Sequence, residues 1–82
     1  VDEVVGAGEA LAAAVAYARA LAAGPSVAID LARRVIWKGV DGSLDDVLDY
    51  EEILGTVASA TADYREGTGA LVQKRSPRFE GR

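Results

Sequence analysis

Residues that end helices divide this 82-residue sequence into segments of helical length, and this division constrains the fold more than any other feature. Gly24-Pro25 closes the first segment, because glycine adopts the left-handed exit easily and proline cannot continue a helix. Gly39 closes the second segment and Pro77 stops the last one. The first segment, from about Glu9 to Ala23, consists almost entirely of good helix formers. The pattern therefore predicts helices with short connections.

The later segments begin with side chains that cap helix N-termini. Ser26, Ser43 and Thr61 each stand before an apolar run, and each has a hydroxyl oxygen that accepts a hydrogen bond from the first helical turn. Ser43 is followed three residues later by Asp46, which is a capping-box pattern. Together with the first segment, these signals predict four short helices and an all-α fold.

The hydrophobic residues of the chain are mostly small. Sixteen of the 41 are alanine and only 20 are valine, isoleucine or leucine, which favours close packing of helices over a sheet. Gly6 and Gly8 disfavour a helix at the start of the chain. We therefore predict an extended lead-in over residues 1–8, a helical domain over residues 9–76 and an irregular tail over residues 77–82.

The third predicted helix is apolar on two sides. The residues of the two faces are Leu44, Val47, Leu48, Leu54 and Ala58, and Tyr50, Ile53 and Val57. A helix of this kind packs against two neighbours, and we expect the second neighbour to come from another subunit. Gly67 and Gly69 lie inside the fourth predicted helix, where each costs up to about 1 kcal/mol relative to alanine. These glycines predict a close backbone approach by a neighbouring element.

The residue types that the sequence lacks exclude several classes of function. Without cysteine there is no disulfide framework, no thiolate metal site and no cysteine nucleophile. Without histidine the chain has neither the commonest general base near neutral pH nor the commonest metal ligand. The net charge of −4 argues against a nucleic-acid partner, and no apolar run approaches the roughly 20 residues that span a bilayer. We expect a cytoplasmic protein that contacts neither nucleic acid nor membrane.

Carboxylates are densest on the third predicted helix, where Asp45, Asp49 and Glu52 share one face. A catalytic pair needs two carboxyl groups that converge on one substrate, and a metal site needs ligands from a second cluster. The sequence offers neither arrangement. We therefore predict a solvated helix face, with no catalytic residue and no metal site in this chain.

Basic residues gather where the fourth predicted helix runs into the tail. The cluster consists of Lys74, Arg75, Arg78 and Arg82. In one interpretation these charges compensate the helix dipole, at about 0.3–1 kcal/mol each, and are otherwise solvated. In the other interpretation they form an anion site, because arginine forks and lysine both suit phosphate.

A second basic group surrounds the only tryptophan. Trp37 lies beside Arg33, Arg34 and Lys38. Two interpretations are open here as well: the indole ring stacks with a cation, or it packs at a helix contact or an interface.

Three stretches of the sequence, taken in order, resemble one known family. The first comprises Ala18–Pro25 and Ala28–Arg34, and the second is Gly42–Glu51. The third and closest is Thr61–Gly67 followed by Gln73–Phe79, which has the pattern Asp-x-x-Glu-Gly…Lys-Arg-x-Pro-x-Phe. This order and this signature resemble the C-terminal part of the enoyl-CoA hydratases and isomerases, the crotonase family.

The resemblance implies a helical C-terminal region that covers the acyl pocket and builds a trimer, often within a hexamer. The larger N-terminal part of that family is a spiral of ββα units with the oxyanion hole and the catalytic glutamates. It is absent from these residues, and we expect it upstream of Val1, which also fits the absence of methionine. The implied substrate of the parent protein is an acyl-CoA, a coenzyme A thioester, and no further cofactor is implied.

The resemblance also implies roles for single residues. Lys74 stands where the family reaches the adenine and phosphate end of CoA bound in a neighbouring subunit. Leu71 stands where many members have a phenylalanine that packs near the same CoA, so an aliphatic side chain replaces an aromatic one. Arg33 stands where a lysine is common, which keeps the charge and changes its geometry. Arg78 is the further candidate for a phosphate contact.

Two hypotheses about function follow. In the first, the chain is the oligomerisation and CoA-covering part of an enoyl-CoA hydratase or isomerase and is inactive alone. In the second, it is a free-standing, non-catalytic helical interaction module, which its well-capped helices also allow. The choice between hydration and isomerisation, and the acyl-chain length, depend on residues that the sequence does not contain.

Overall fold

Four α-helices and no strand form the computed structural model, which describes all residues from 1 to 82. In chain order they are α1 (Ala10–Ala22), α2 (Ser26–Asp41), α3 (Leu44–Ser59) and α4 (Ala62–Gln73). The residues before α1 and after α4 contain no regular element. The predicted all-α class and the predicted number of helices are confirmed.

Two of the predicted caps are present. The Oγ atom of Ser43 accepts a 3.1 Å hydrogen bond from the backbone N–H of Asp46 at the start of α3. The Oγ1 atom of Thr61 accepts a 3.0 Å hydrogen bond from the backbone N–H of Tyr64 at the start of α4. In both places a hydroxyl oxygen satisfies an N–H group that the first helical turn leaves without a partner.

The second helix differs from its prediction at both ends. Ser26 is the first helical residue rather than the cap, because the carbonyl of Pro25 already accepts the N–H of Ile29 at 3.0 Å. The helix also continues through Gly39 to Asp41. A glycine inside a helix costs only about 1 kcal/mol relative to alanine, so Gly39 does not end α2.

The fourth helix is shorter than predicted. It ends at Gln73, and not at the proline that follows at position 77, because Lys74 adopts the left-handed conformation with φ 53° and ψ 40°. The basic residues from Lys74 onwards therefore lie beyond the helix.

The helices form a thin layer rather than a closed bundle, and the smallest dimension of the molecule is 19 Å. α2 packs mainly on α3, and α3 also contacts α4, whereas α1 has no comparable contact with another helix. The residues between α2 and α3 are half-buried and include Leu31, Val35, Val47, Tyr50 and Leu54. None of the helices alone is long and apolar enough to span a membrane. Only α1 and α2 taken together reach that length and apolar character, and the two helices are bent by 106° relative to each other.

Very little of the chain is shielded from solvent. Only two residues are buried, Asp63 and Ala70, and both belong to α4. The exposed large apolar residues on the four helices include Leu11, Tyr17, Ile36, Trp37, Val40, Leu44, Ile53, Leu71 and Val72. Isolated exposed apolar side chains are normal in proteins, but a whole layer of them is typical of an interaction surface.

Candidate functional site

The chain leaves α4 through a left-handed turn at Lys74, the only residue other than glycine with a positive φ. The N–H of Lys74 donates to the carbonyl of Leu71 at 3.2 Å, and the N–H of Arg75 donates to the carbonyl of Ala70 at 3.0 Å. This is the Schellman type of helix end, in which glycine usually occupies the left-handed position. A side chain with a Cβ atom costs roughly 1–2 kcal/mol there, so lysine is retained against the backbone preference.

Glu66 binds the segment that follows this turn. Its two carboxylate oxygens accept from the two terminal nitrogens of the Arg75 guanidinium, at 2.6 and 2.8 Å. The backbone N–H of Arg78 donates to the same carboxylate at 2.8 Å. The bonds from Arg75, and then the one from Arg78, lower the pKa of Glu66 from 4.5 to about 2. The carboxylate is therefore ionised at every physiological pH, and its charge in turn raises the pKa of Arg75.

Asp63 binds the end of the tail. Its buried carboxylate accepts from the backbone N–H of Glu80 at 2.7 Å and from that of Gly81 at 2.9 Å. Its own N–H donates to the carbonyl of Arg82 at 2.8 Å. Gly81 has φ +76°, and a Cβ atom there would lie 2.9 Å from the Oγ atom of Ser26. The tail thus runs from α4 to the start of α2, and the positive φ favours glycine at this contact.

The two glycines of α4 have different surroundings. A Cβ atom at Gly67 would lie 3.4 Å from the ring of Phe79, so the tail covers this position. No atom of the chain lies within 4 Å of a Cβ atom at Gly69. The predicted close approach is therefore found only at Gly67, and it comes from a side chain, because the tail folds back over α4 instead of presenting its backbone.

The predicted basic cluster divides into paired and unpaired cations. Arg75 pairs with Glu66, and Arg82 pairs with Glu80 at 2.7 Å. The exposed side chains of Lys74 and Arg78 take part in none of the four ion pairs of the chain. No basic residue lies in the last turn of α4 itself; Lys74 caps the helix end and the other three cations follow it in the tail. Leu71, one turn before Lys74, is 79% exposed.

Asp63 and Glu66 are the residues whose role the sequence analysis missed. They belong to the Asp-x-x-Glu-Gly signature and stand three residues apart, which places them on one face of α4. Their partners are backbone groups of the tail and one arginine, and a sequence pattern does not name backbone partners. The second half of the same signature was a signal for Glu66 alone, because it contains Arg75 and spans Arg78. The partners of Asp63, which are Glu80, Gly81 and Arg82, lie beyond the signature.

The basic group around Trp37 forms an open depression between α2 and α3. Its lining consists of Arg33, Arg34, Trp37, Lys38 and, from α3, Tyr50. The indole is 66% exposed, so most of its surface is not packed within this chain.

One carboxylate compensates part of this charge. Arg33 and Arg34 donate to Asp30 at 2.7 and 2.8 Å, which lowers the pKa of that carboxyl. On α3, Asp45, Asp49 and Glu52 are exposed and unpaired, as predicted for a solvated face.

Comparison with known proteins gives a consistent result. No family model matches the chain. It is 40% identical over 65 residues to a 1,2-epoxyphenylacetyl-CoA isomerase of Escherichia coli (strain K12), covering 79% of this chain and 25% of the relative. It is 37% identical over 67 residues to a probable enoyl-CoA hydratase of Rhodobacter capsulatus, covering 82% of this chain and 26% of the relative.

The fold has a close counterpart among solved structures. An enoyl-CoA hydratase of Geobacillus kaustophilus HTA426 superimposes with a TM-score of 0.93 at 28% sequence identity, over 100% of this chain and 31% of the other. The chain thus spans about a quarter of the length of the curated relatives that it matches. The match lies at the C-terminal part of the crotonase-fold enzyme. The chain therefore corresponds to the C-terminal helical region of the enoyl-CoA hydratase/isomerase (crotonase) family.

Proposed function

We propose that this chain serves an acyl-CoA hydratase or isomerase as its oligomerisation and CoA-covering part, with the reacting groups on a domain outside these residues. The observation that carries the proposal is the combination of a matching fold with an almost complete lack of buried residues. A layer that buries only Asp63 and Ala70 has no core of its own, and burial of apolar surface is the main force that stabilises a fold. Its apolar side chains therefore need other surfaces.

The surface of α3 supports self-association. Leu48, Ile53 and Val57 are exposed on α3 even though α2 and α4 already contact this helix. They represent both predicted apolar faces, so α3 has surface left for a further neighbour. A second or third copy of the chain, as in a trimer or a hexamer, supplies such a neighbour.

The turn at Lys74 supports a contact with the nucleotide end of CoA. Lys74 and Arg78 are exposed cations outside every ion pair, and lysine and arginine both bind phosphates. The left-handed backbone of Lys74 is strained for a residue with a Cβ atom, and such strain is common at functional sites. The exposed Leu71 offers an apolar contact one turn away.

Two measurements test this function. Sedimentation equilibrium of the full-length gene product is expected to show a trimer or hexamer. In an activity assay, the full-length gene product is expected to hydrate or isomerise crotonyl-CoA, whereas the 82-residue chain is not. Hydration by the 82-residue chain alone would contradict the assignment of the reacting groups. A stable monomer at high concentration would favour the alternative, a free-standing helical interaction module.

A further inference from the structure

We propose that Glu66 is a positioning residue for Lys74: by holding Arg75 and the backbone of Arg78, it fixes the segment that presents the Lys74 ammonium to the nucleotide end of CoA. This inference rests on the proposed function, because it concerns the same cation. Glu66 forms no hydrogen bond with Lys74. It acts through the residues that follow the lysine.

The two neighbours of Lys74 are held in place by hydrogen bonds. The Nε atom of Arg75 donates to the side-chain oxygen of Gln73 at 2.7 Å, while its terminal nitrogens are bound by Glu66. The residues on either side of Lys74 are therefore joined to each other and anchored to α4. Both neighbours of Lys74 are engaged, whereas the Lys74 side chain itself is exposed and forms no ion pair.

The backbone beyond Lys74 is held as well. Residues 74–78 leave the helix through the left-handed turn and return to it, because the N–H of Arg78 donates to the Glu66 carboxylate. One carboxylate thus fixes Arg75 and the far end of this loop. Without it, the turn at Lys74 keeps its Schellman bonds and the bond from Arg75 to Gln73, but the Arg75 guanidinium has no carboxylate partner and the far end of the loop is released.

The positioning role of Glu66 is separate from a general role in stability. The end of the tail is held independently by Asp63, which binds Glu80, Gly81 and Arg82. Loss of the Glu66 carboxylate therefore leaves the end of the tail docked on α4. We expect the fold to persist while the direction of the Lys74 side chain becomes less defined.

A double-mutant cycle on the full-length gene product tests the inference, with coenzyme A itself as the probe in titration calorimetry. Lys74→Ala is expected to weaken binding about tenfold, and Glu66→Gln about threefold. In the Lys74→Ala background, Glu66→Gln is expected to change nothing further, because a positioning residue has no effect once its target is gone. The Glu66→Gln single variant is also expected to raise KM for the enoyl-CoA substrate and to leave kcat unchanged.

The matched control is Glu80→Gln. Like Glu66→Gln, it removes the charge of a glutamate that is paired with an arginine, but Glu80 lies in the tail and pairs with Arg82. It is expected to leave the affinity for coenzyme A unchanged. Arg75→Lys is the second variant, since it keeps the charge but not the two-oxygen fork, and it is expected to weaken binding as Glu66→Gln does. The positioning role is overturned if Glu66→Gln weakens CoA binding equally in the unmodified protein and in Lys74→Ala. It is also overturned if Lys74→Ala weakens binding and Glu66→Gln does not. An unchanged affinity in Lys74→Ala would instead overturn the CoA contact of Lys74 and the inference with it.

Discussion

The backbone N–H of Asp63 donates a 2.8 Å hydrogen bond to the carbonyl oxygen of Arg82, so the first turn of α4 is joined directly to the tail. The carboxylate of the same residue accepts two further bonds from the backbone of Glu80 and Gly81. Asp63 is one of only two buried residues. The tail therefore shields the carboxylate and also supplies the donors that a buried carboxylate requires.

Asp63→Asn is expected to lower the free energy of unfolding of the full-length gene product by about 2 kcal/mol. An amide has one acceptor oxygen and turns an NH₂ group towards a backbone N–H, so one of the two bonds is lost. Urea unfolding measures the effect. Asp45→Asn, the same change on the exposed face of α3, is the control and is expected to stay within about 0.5 kcal/mol of the unmodified protein. Equal losses in the two variants would show that the tail contributes nothing.

The Glu66–Arg75 pair is expected to make stability fall in acid. The pKa of Glu66 is about 2 in the fold, against 4.5 without these partners, so the unfolded chain binds the proton more readily. The contribution of this carboxylate is complete above pH 4.5 and is lost as the pH falls towards about 2. Carbon NMR of the Glu66 carboxyl group measures the midpoint directly. A midpoint near 4.5 would mean that the pair does not form in solution.

Lys74→Gly is expected to be more stable than Lys74→Ala by about 1 kcal/mol. Both variants remove the ammonium group, so their difference reports only the backbone at this position. Glycine adopts the left-handed conformation without the Cβ penalty, and alanine retains that penalty. Urea unfolding of the two variants side by side measures the difference, and equal stabilities would contradict a left-handed residue 74.

Gly69→Ala is expected to stabilise the 82-residue chain by up to about 1 kcal/mol, because alanine favours helix and no atom of the chain lies within 4 Å of the new Cβ atom. In the full-length gene product the same change is expected to weaken assembly, since a neighbouring subunit that approaches this glycine meets the methyl group. Circular dichroism and sedimentation velocity measure the two effects. Gly67→Ala is the comparison: its Cβ atom meets Phe79 within the chain, so assembly is expected to be unaffected. If Gly69→Ala leaves assembly unchanged, no neighbouring subunit approaches Gly69.

The helix boundaries that depend on local hydrogen bonds were predictable from the sequence. Ser43 and Thr61 cap α3 and α4 because a hydroxyl oxygen at such a place meets N–H groups only three residues away. The break at Gly24-Pro25 depends on backbone sterics alone and was predictable for the same reason. Gly39 was misjudged because the cost of one glycine is smaller than the stability that the surrounding helix contributes.

The candidate site was predictable only in part, because its bonds connect residues that lie apart in the chain. The sequence pointed to Lys74 and Arg78 as cations, but it did not show that Arg75 is already engaged by Glu66. The left-handed turn was also hidden, since lysine is a good helix former and the sequence before Pro77 favours a longer helix. Such a turn is recognised only when the contacts that hold it are known.

The dependence of Asp63 on Glu80 and Gly81 has a consequence for the order of events during synthesis. A ribosome completes α4 before it adds these residues, so the nascent helix carries a carboxylate that still lacks its backbone donors. The segment up to Gln73 can become helical before the tail docks, but the start of α4 remains open to water. Consolidation of this region therefore follows translation of the tail, and a chain stalled before Glu80 leaves the Asp63 carboxylate without its backbone donors.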